Sequence, residues 1–315
     1  MEWQEIVRAR RERASGPSLA GVRLLVTRRP DRSAALRGVL EEAGAAVAFL
    51  PLIDFERAPD AAVLSRSLTG LAEGQYAWLV VTSPTTVDAL ADACGREQTA
   101  LRECIPAHTR VAAVGAGTAA ALKRAGVPVH LVPARQSAAG LLAEWPGHPA
   151  AGAAGILLPQ ADIAGETLHT GLKKRRWDVH QVVAYRTVPY PADPATALYE
   201  AVAADGGVLS SDAARSEVAA GRINAIVAAS PSQVRRLVEL AIPLDGCPLV
   251  AIGPASHAEA LELGLAVAAV AADPGPRSVA AAVEHAVNAT QRTPPSNNDK
   301  YINEHLDRPG TPNEG

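Results

Sequence analysis

Apolar residues along this chain gather in short runs, and each run is followed by a turn and then a stretch of helical periodicity. The strand RLLVTRRP (Arg23–Pro30) leads into the helix SAALRGVLEEAG and then the extended segment AVAFLPLIDFERAP. The pattern returns 132 positions later without a gap, as GILLPQAD (Gly155–Asp162), GETLHTGLKKRRW and DVHQVVAYRTVPYP; Leu25 falls on Leu157, Val47 on Val179 and Pro59 on Pro191. A second unit, YAWLVVTSPTTVDALADA (Tyr76–Ala93), is matched by NAIVAASPSQVRRLVEL (Asn224–Leu240). In both, a buried strand runs into Ser-Pro, where serine can cap a helix and proline suits its first position. A third, RVAAVGAGTAAALKRAGVPVHLVP, is matched by PLVAIGPASHAEALELGLAVAAVA. Gly115 pairs with Gly253, Thr118 with Ser256, and the helix-ending Gly126 with Gly264.

Three strand-turn-helix units therefore occur and then recur in the same order. Alternating strands and helices predict an α/β fold with parallel sheets covered by helices, and the repetition predicts two similar parallel-sheet lobes. In open sheets of this kind ligands bind at the carboxyl ends of the strands. The turns Thr27–Pro30, Thr82–Thr86, Gly115–Thr118, Pro159–Asp162, Ser230–Gln233 and Gly253–Ser256 are expected there, lining one cleft if the lobes face each other.

Length and composition narrow the picture. With 315 residues, 48% of them hydrophobic, the chain is long enough for two cores. A net charge of -3 points to neither nucleic acid nor membrane as partner. Apolar stretches are broken by Pro, Gly or charge, so no membrane span is expected. Three scattered cysteines (Cys94, Cys104, Cys247) make neither a disulfide framework nor a metal site and read as buried thiols of a reducing cytoplasm. Residues 1–18 read as a charged N-terminal extension without a signal peptide, and 288–315, polar and rich in Pro and Asn, as a disordered tail.

Each predicted turn offers backbone N–H groups at a helix start, joined by Ser or Thr hydroxyls, with Arg28, Arg29, Arg135, Arg186 and Arg277 in or near the turns and linkers. Such sites attract anions, carboxylates included. Ser, Thr and Gly are also the ordinary residues of strand-to-helix turns, so one such turn alone indicates little. GAGTAA (Gly115–Ala120) fits a dinucleotide fingerprint, but no acidic residue ends the next strand and the second copy breaks the pattern. No nucleophile elbow, P-loop or histidine metal spacing is present. KKRR (Lys173–Arg176) closes a helix, where cations complement the dipole. Only 3% of the chain is aromatic, and Tyr185 lies in a linker strand, where its phenol could relay a proton or merely pack.

The runs LLPQADIA…VHQVVAYRTVP, VVTSPTTV, VAAVGAGTAAAL and LVAIGPASHAEAL, in this order, resemble the uroporphyrinogen-III synthase family over about Gly21–Val287. Gln160-Ala161 stands where that family more often has Arg-Gly, and Ser256 where Thr is usual. The resemblance implies two α/β lobes joined by a two-strand β ladder with a cleft between them. One lobe would comprise 19–52 and 188–287, the other 53–187. It also implies a cofactor-independent, monomeric, cytoplasmic lyase that closes hydroxymethylbilane to uroporphyrinogen III with inversion of ring D and loss of water. Azafulvene and spiro intermediates are implied, and hydroxymethylbilane synthase is a candidate partner. Tyr185 carries over as the tyrosine that assists hydroxide departure. Arg28, Thr82, Ser83, Pro84, Gly115, Thr118, Gln160, Ser230 and Ser256 are the expected substrate-binding residues. A non-catalytic tetrapyrrole-binding or regulatory module, and a nucleotide-sugar transferase or dehydrogenase using GAGTAA, remain open alternatives.

Overall fold

The apolar runs become strands and the periodic stretches become helices in a computed structural model that describes residues 18–147, 155–200 and 207–292. The chain divides into two units, one formed by residues up to Pro51 together with those from Ala204 onward, the other by Leu52–Ala203.

The first unit holds a five-stranded, all-parallel sheet in the order β10-β9-β8-β1-β2, formed by β1 (Arg23–Val26), β2 (Ala46–Phe49), β8 (Ala225–Ala228), β9 (Leu249–Ala251) and β10 (Val267–Val270). Its helices are α1 (Ala34–Glu42), α7 (Ser211–Ala219), α8 (Pro231–Glu239), α9 (Pro254–Glu262) and α10 (Pro276–Arg292). Leu24, Val26, Val227 and Val250 are buried in one core with Val279, Val283 and Val287 of α10, so the apolar stripe of that last helix covers one face of the sheet. α10 runs through Asn288–Arg292, where a disordered tail was expected: a polar end can extend a helix already docked by its apolar stripe. The rest of the expected tail, and residues 1–17 of the N-terminal extension, lie outside the described residues.

The second unit holds β3 (Ile53–Arg57), β4 (Trp78–Val81), β5 (Arg110–Ala113), β6 (Gly155–Ala161) and β7 (Asp178–Pro189), in the order β3-β7-β6-β4-β5. Its helices are α2 (Ala61–Ala72), α3 (Pro84–Arg96), α4 (Ala116–Arg124), α5 (Ala138–Ala143) and α6 (Thr167–Lys174). β4, β5, β6 and β7 are parallel, while β3 runs antiparallel to β7 from Ile53↔Pro189 to Arg57↔Tyr185. The two predicted linker strands thus do pair, and the ladder they form is continuous with this sheet because β7 is long enough to serve both. Residues 188–200 stay with this unit: Leu198 N–H donates to Phe55 O at 2.8 Å and Tyr190 N–H to Leu52 O at 3.2 Å. The chain accordingly returns to the first unit after Ala203, later than the expected 187/188 boundary.

The repeat's punctuation has a plain physical cause. Gly126 and Gly264 follow α4 and α9 at the same φ of +73°, a left-handed conformation that costs glycine little. Cys94, Cys104 and Cys247 are all free and buried.

Candidate active site

In the second unit the carboxyl edge of the sheet is organised by Ser83. It is extended (φ -146°, ψ 156°), and its Oγ accepts the Thr86 N–H at 3.1 Å, while Pro84 takes the first helical position. That oxygen also lies 3.0 Å from Thr86 Oγ1 and 3.1 Å from the Tyr185 hydroxyl of β7. Tyr185 is buried, and its ring meets Phe55 edge-on at 5.5 Å between centroids. Phe55 in turn meets Tyr199 at 6.0 Å, whose hydroxyl donates to Asp88 Oδ2 at 2.7 Å. The backbone of Tyr185 is fixed as well. A register shift between Gln160 and Ala161 places Ala161 opposite it, and Asp162 N–H donates to its carbonyl at 3.1 Å. Asp162 Oδ1 then accepts the Thr187 N–H at 2.9 Å.

The other expected residues of this unit are placed less uniformly. Thr82 is half-buried just before Ser83. Gly115 precedes α4, but Gln136 Oε1 accepts the Ala116 N–H at 2.9 Å, so one donor of that helix start is already used. Thr118 is buried at the third position of α4. Gln160 was expected in a turn and instead lies inside β6, buried, with its Oε1 accepting from Gln181 Nε2 at 3.2 Å; the strand simply runs further than its turn residues suggested. Arg186 is paired with Glu56 at 3.5 Å, and Arg175 of KKRR donates to the carbonyls of Gly171 and Leu142 at 2.9 and 2.8 Å, which is the helix-terminal role expected of it.

In the first unit Arg28 follows β1, half-buried and with no ion pair among the described residues. Burial, reinforced by the charge of Arg32, holds its guanidinium below the usual arginine value. Its neighbour Arg29 is buried and bonded to Asp31 at 3.1 Å. Ser230 caps α8, accepting the Gln233 N–H at 3.4 Å and meeting Ser232 Oγ at 3.0 Å. Ser256 is buried at the third position of α9, as Thr118 is in its own helix.

One residue of this edge was expected only as the end of the Ser230–Gln233 turn and not among the substrate-binding residues. Gln233, 5% exposed, accepts the Ala229 N–H at 2.8 Å and meets Thr27 Oγ1 at 2.8 Å, so it ties the turn after β1 to the turn after β8. The spacing Ser-x-x-Gln from Ser230 is a capping-box signal that could have found it.

These turns fall inside residues 34–281, apart from the turn after β1 that carries Thr27, Arg28 and Arg29, and that span matches the family model described as uroporphyrinogen-III synthase HemD. The chain belongs to the uroporphyrinogen-III synthase family. It is an enzyme of that family, whose activity is the closure of hydroxymethylbilane to uroporphyrinogen III in tetrapyrrole synthesis. Among solved structures, a triple mutant of uroporphyrinogen III synthase from Thermus thermophilus is 20% identical, with a TM-score of 0.57 over 85% of this chain and 99% of that one, which shows the fold. The wild-type enzyme of the same organism is 21% identical with a TM-score of 0.45, covering 86% and 98%. Uroporphyrinogen-III synthetase from Helicobacter pylori is 14% identical with a TM-score of 0.44, covering 82% and 96%. Among the described residues no helix is long and apolar enough to cross a membrane, and no cluster of His, Cys, Asp and Glu is arranged to hold a metal.

Proposed function

We propose that this chain closes hydroxymethylbilane with Tyr185 as the acid for the departing hydroxyl and Ser83 as the group that sustains it. The 3.1 Å contact between the two hydroxyls is the observation that carries the reading. Ser83 Oγ accepts the Thr86 N–H at the start of α3, which polarises its O–H. That O–H can donate to the Tyr185 oxygen as charge grows there. Tyr185 gives its proton to the leaving hydroxyl, the C–O bond breaks, and water departs. A pyrrole N–H proton lost from the resulting azafulvenium cation then restores the phenol. Ring D attaches through its substituted carbon, and the spiro intermediate rearranges and closes inverted.

The bilane also closes by itself to the uninverted isomer, so the protein's larger task is to hold one folded conformation. Many substrate carboxylates call for many anion-receptive groups, and both units offer them: Thr82, Pro84, Gly115 and Thr118 in one, Arg28, Ser230 and Ser256 in the other. Gln160, enclosed in β6, would act by supporting Gln181 and the bulge beside Tyr185. The same reading has the enzyme working as a monomer in the cytoplasm, a reducing compartment that suits three free buried cysteines, and taking its substrate from hydroxymethylbilane synthase.

Tyr185→Phe tests it. The ring and its contact with Phe55 remain, and only the hydroxyl is lost. Single-turnover closure is expected to slow by about 100-fold, the lower end of what general acids supply. The melting temperature should fall only as far as one lost hydrogen bond of about 1 kcal/mol allows. Unchanged turnover by the folded variant would remove Tyr185 from the mechanism.

A further inference from the structure

The two copies of the Ser-Pro turn have diverged. In the second unit the sequence is Ser83-Pro84-Thr85-Thr86, and the Thr86 hydroxyl folds back onto Ser83 at 3.0 Å. In the first unit it is Ser230-Pro231-Ser232-Gln233, and a longer side chain stands where Thr86 does. The Gln233 carboxamide is oriented by its surroundings. The Ala229 N–H can only donate, so the atom facing it at 2.8 Å must be the oxygen, and the Thr27 hydroxyl meets the same oxygen. The Nε2 group therefore points the other way.

That group has two hydrogens and no acceptor among the described residues. Only 5% of the residue is exposed. A carboxamide held rigidly by its oxygen with its donors left open is a preorganised site for an acceptor. Its neighbours suit an anion. Ser230 and Ser232 supply hydroxyls at the start of the nine-residue α8, and Arg28, next in sequence to the Thr27 that Gln233 holds, is a half-buried cation without an ion pair among the described residues. The negative charge of a bound carboxylate would offset the burial and like charge that depress Arg28.

We propose that Gln233 is a substrate-binding residue whose Nε2, together with Arg28 and the Ser230 hydroxyl, takes one side-chain carboxylate of the bilane in the first unit. This rests on the functional reading above and deepens it: the duplicated turn serves proton transfer in one copy and carboxylate recognition in the other.

Gln233→Glu is the discriminating variant. It keeps an oxygen for Ala229 and Thr27, so the turn stays tied, but it replaces the open donor by an acceptor. The KM for hydroxymethylbilane should rise at least about tenfold, equivalent to about 1.4 kcal/mol, with kcat within about twofold and a cooperative melting transition that shows the variant folded. A KM equal to that of the parent overturns the proposal, as does a fall in kcat alone. To separate this from the functional reading, the affinity of parent and variant for uroporphyrin III, a stable polycarboxylate, is read from the porphyrin's own fluorescence. At least tenfold weaker binding by Gln233→Glu supports the site whether or not the parent directs closure; equal binding by the two, or none by the parent, sinks it.

Discussion

Ser83 uses one oxygen for two purposes: it caps α3 through the Thr86 N–H and it meets the Tyr185 hydroxyl. Local stability and chemistry are thus coupled at a single atom, which is why a substitution at Tyr185 is the cleaner probe of mechanism. Glycines show the opposite case, where the same substitution has different signs in different places. A Cβ on Gly140 would lie 1.9 Å from the Arg135 carbonyl oxygen, a backbone atom that cannot swing aside. A Cβ on Gly38, inside α1, would meet nothing within 4 Å. Gly140→Ala is therefore expected to destabilise by about 3 kcal/mol through overpacking, whereas Gly38→Ala should stabilise by up to about 1 kcal/mol through helix propensity. Denaturant unfolding of the two variants checks both signs; equal effects would contradict the packing around Arg135.

At the scale of elements, α3 is the piece that carries the cap, and it is pinned to β3 by charge. Arg57 reaches Asp92 through Nε and Nη2 at 3.1 and 3.2 Å, and Arg96 reaches it at 2.7 Å. Desolvation works to raise the Asp92 pKa, but hydrogen bonds and charge from the two arginines outweigh it and leave it below the usual aspartate value. A carboxylate depressed in the folded state adds stability that is fully present above its unfolded value of about 3.9 and is lost as pH falls through the lower folded value. The parent should thus melt above Asp92→Asn at neutral pH, with the gap closing below about pH 4. A gap that persists undiminished into strong acid would contradict the pairing. The helices with repeat partners were readable in advance, because capping serines and helix-ending glycines recur at fixed positions. α2, α5, α7 and α10 were not, since they lie outside the repeated units, and Asn288–Arg292 look like tail until Val279, Val283 and Val287 dock the helix they end.

For the whole molecule, an internal repeat made two mainly parallel sheets legible from sequence, while the pairing of strands between Ile53 and Pro189 was expected from the family resemblance. The return point of the chain was not legible, because it depends on backbone hydrogen bonds from 190–198 to β3 and its approach that no residue type announces. Of the expected site, Ser83 and Tyr185 come together directly. Gln160 sits inside a strand because the turn chemistry of Gln-Ala-Asp does not stop β6 where it was expected to stop. Gln233 was read only as a turn residue because its orientation depends on Thr27, which lies 206 positions away along the chain. The claim on which everything turns is that this chain directs closure with inversion of ring D. Hydroxymethylbilane, generated enzymatically, should be added to the purified protein, and the products oxidised and separated as porphyrin isomers I and III. Isomer III should dominate well beyond the protein-free control; isomer I alone, from protein shown to be folded, would contradict the claim.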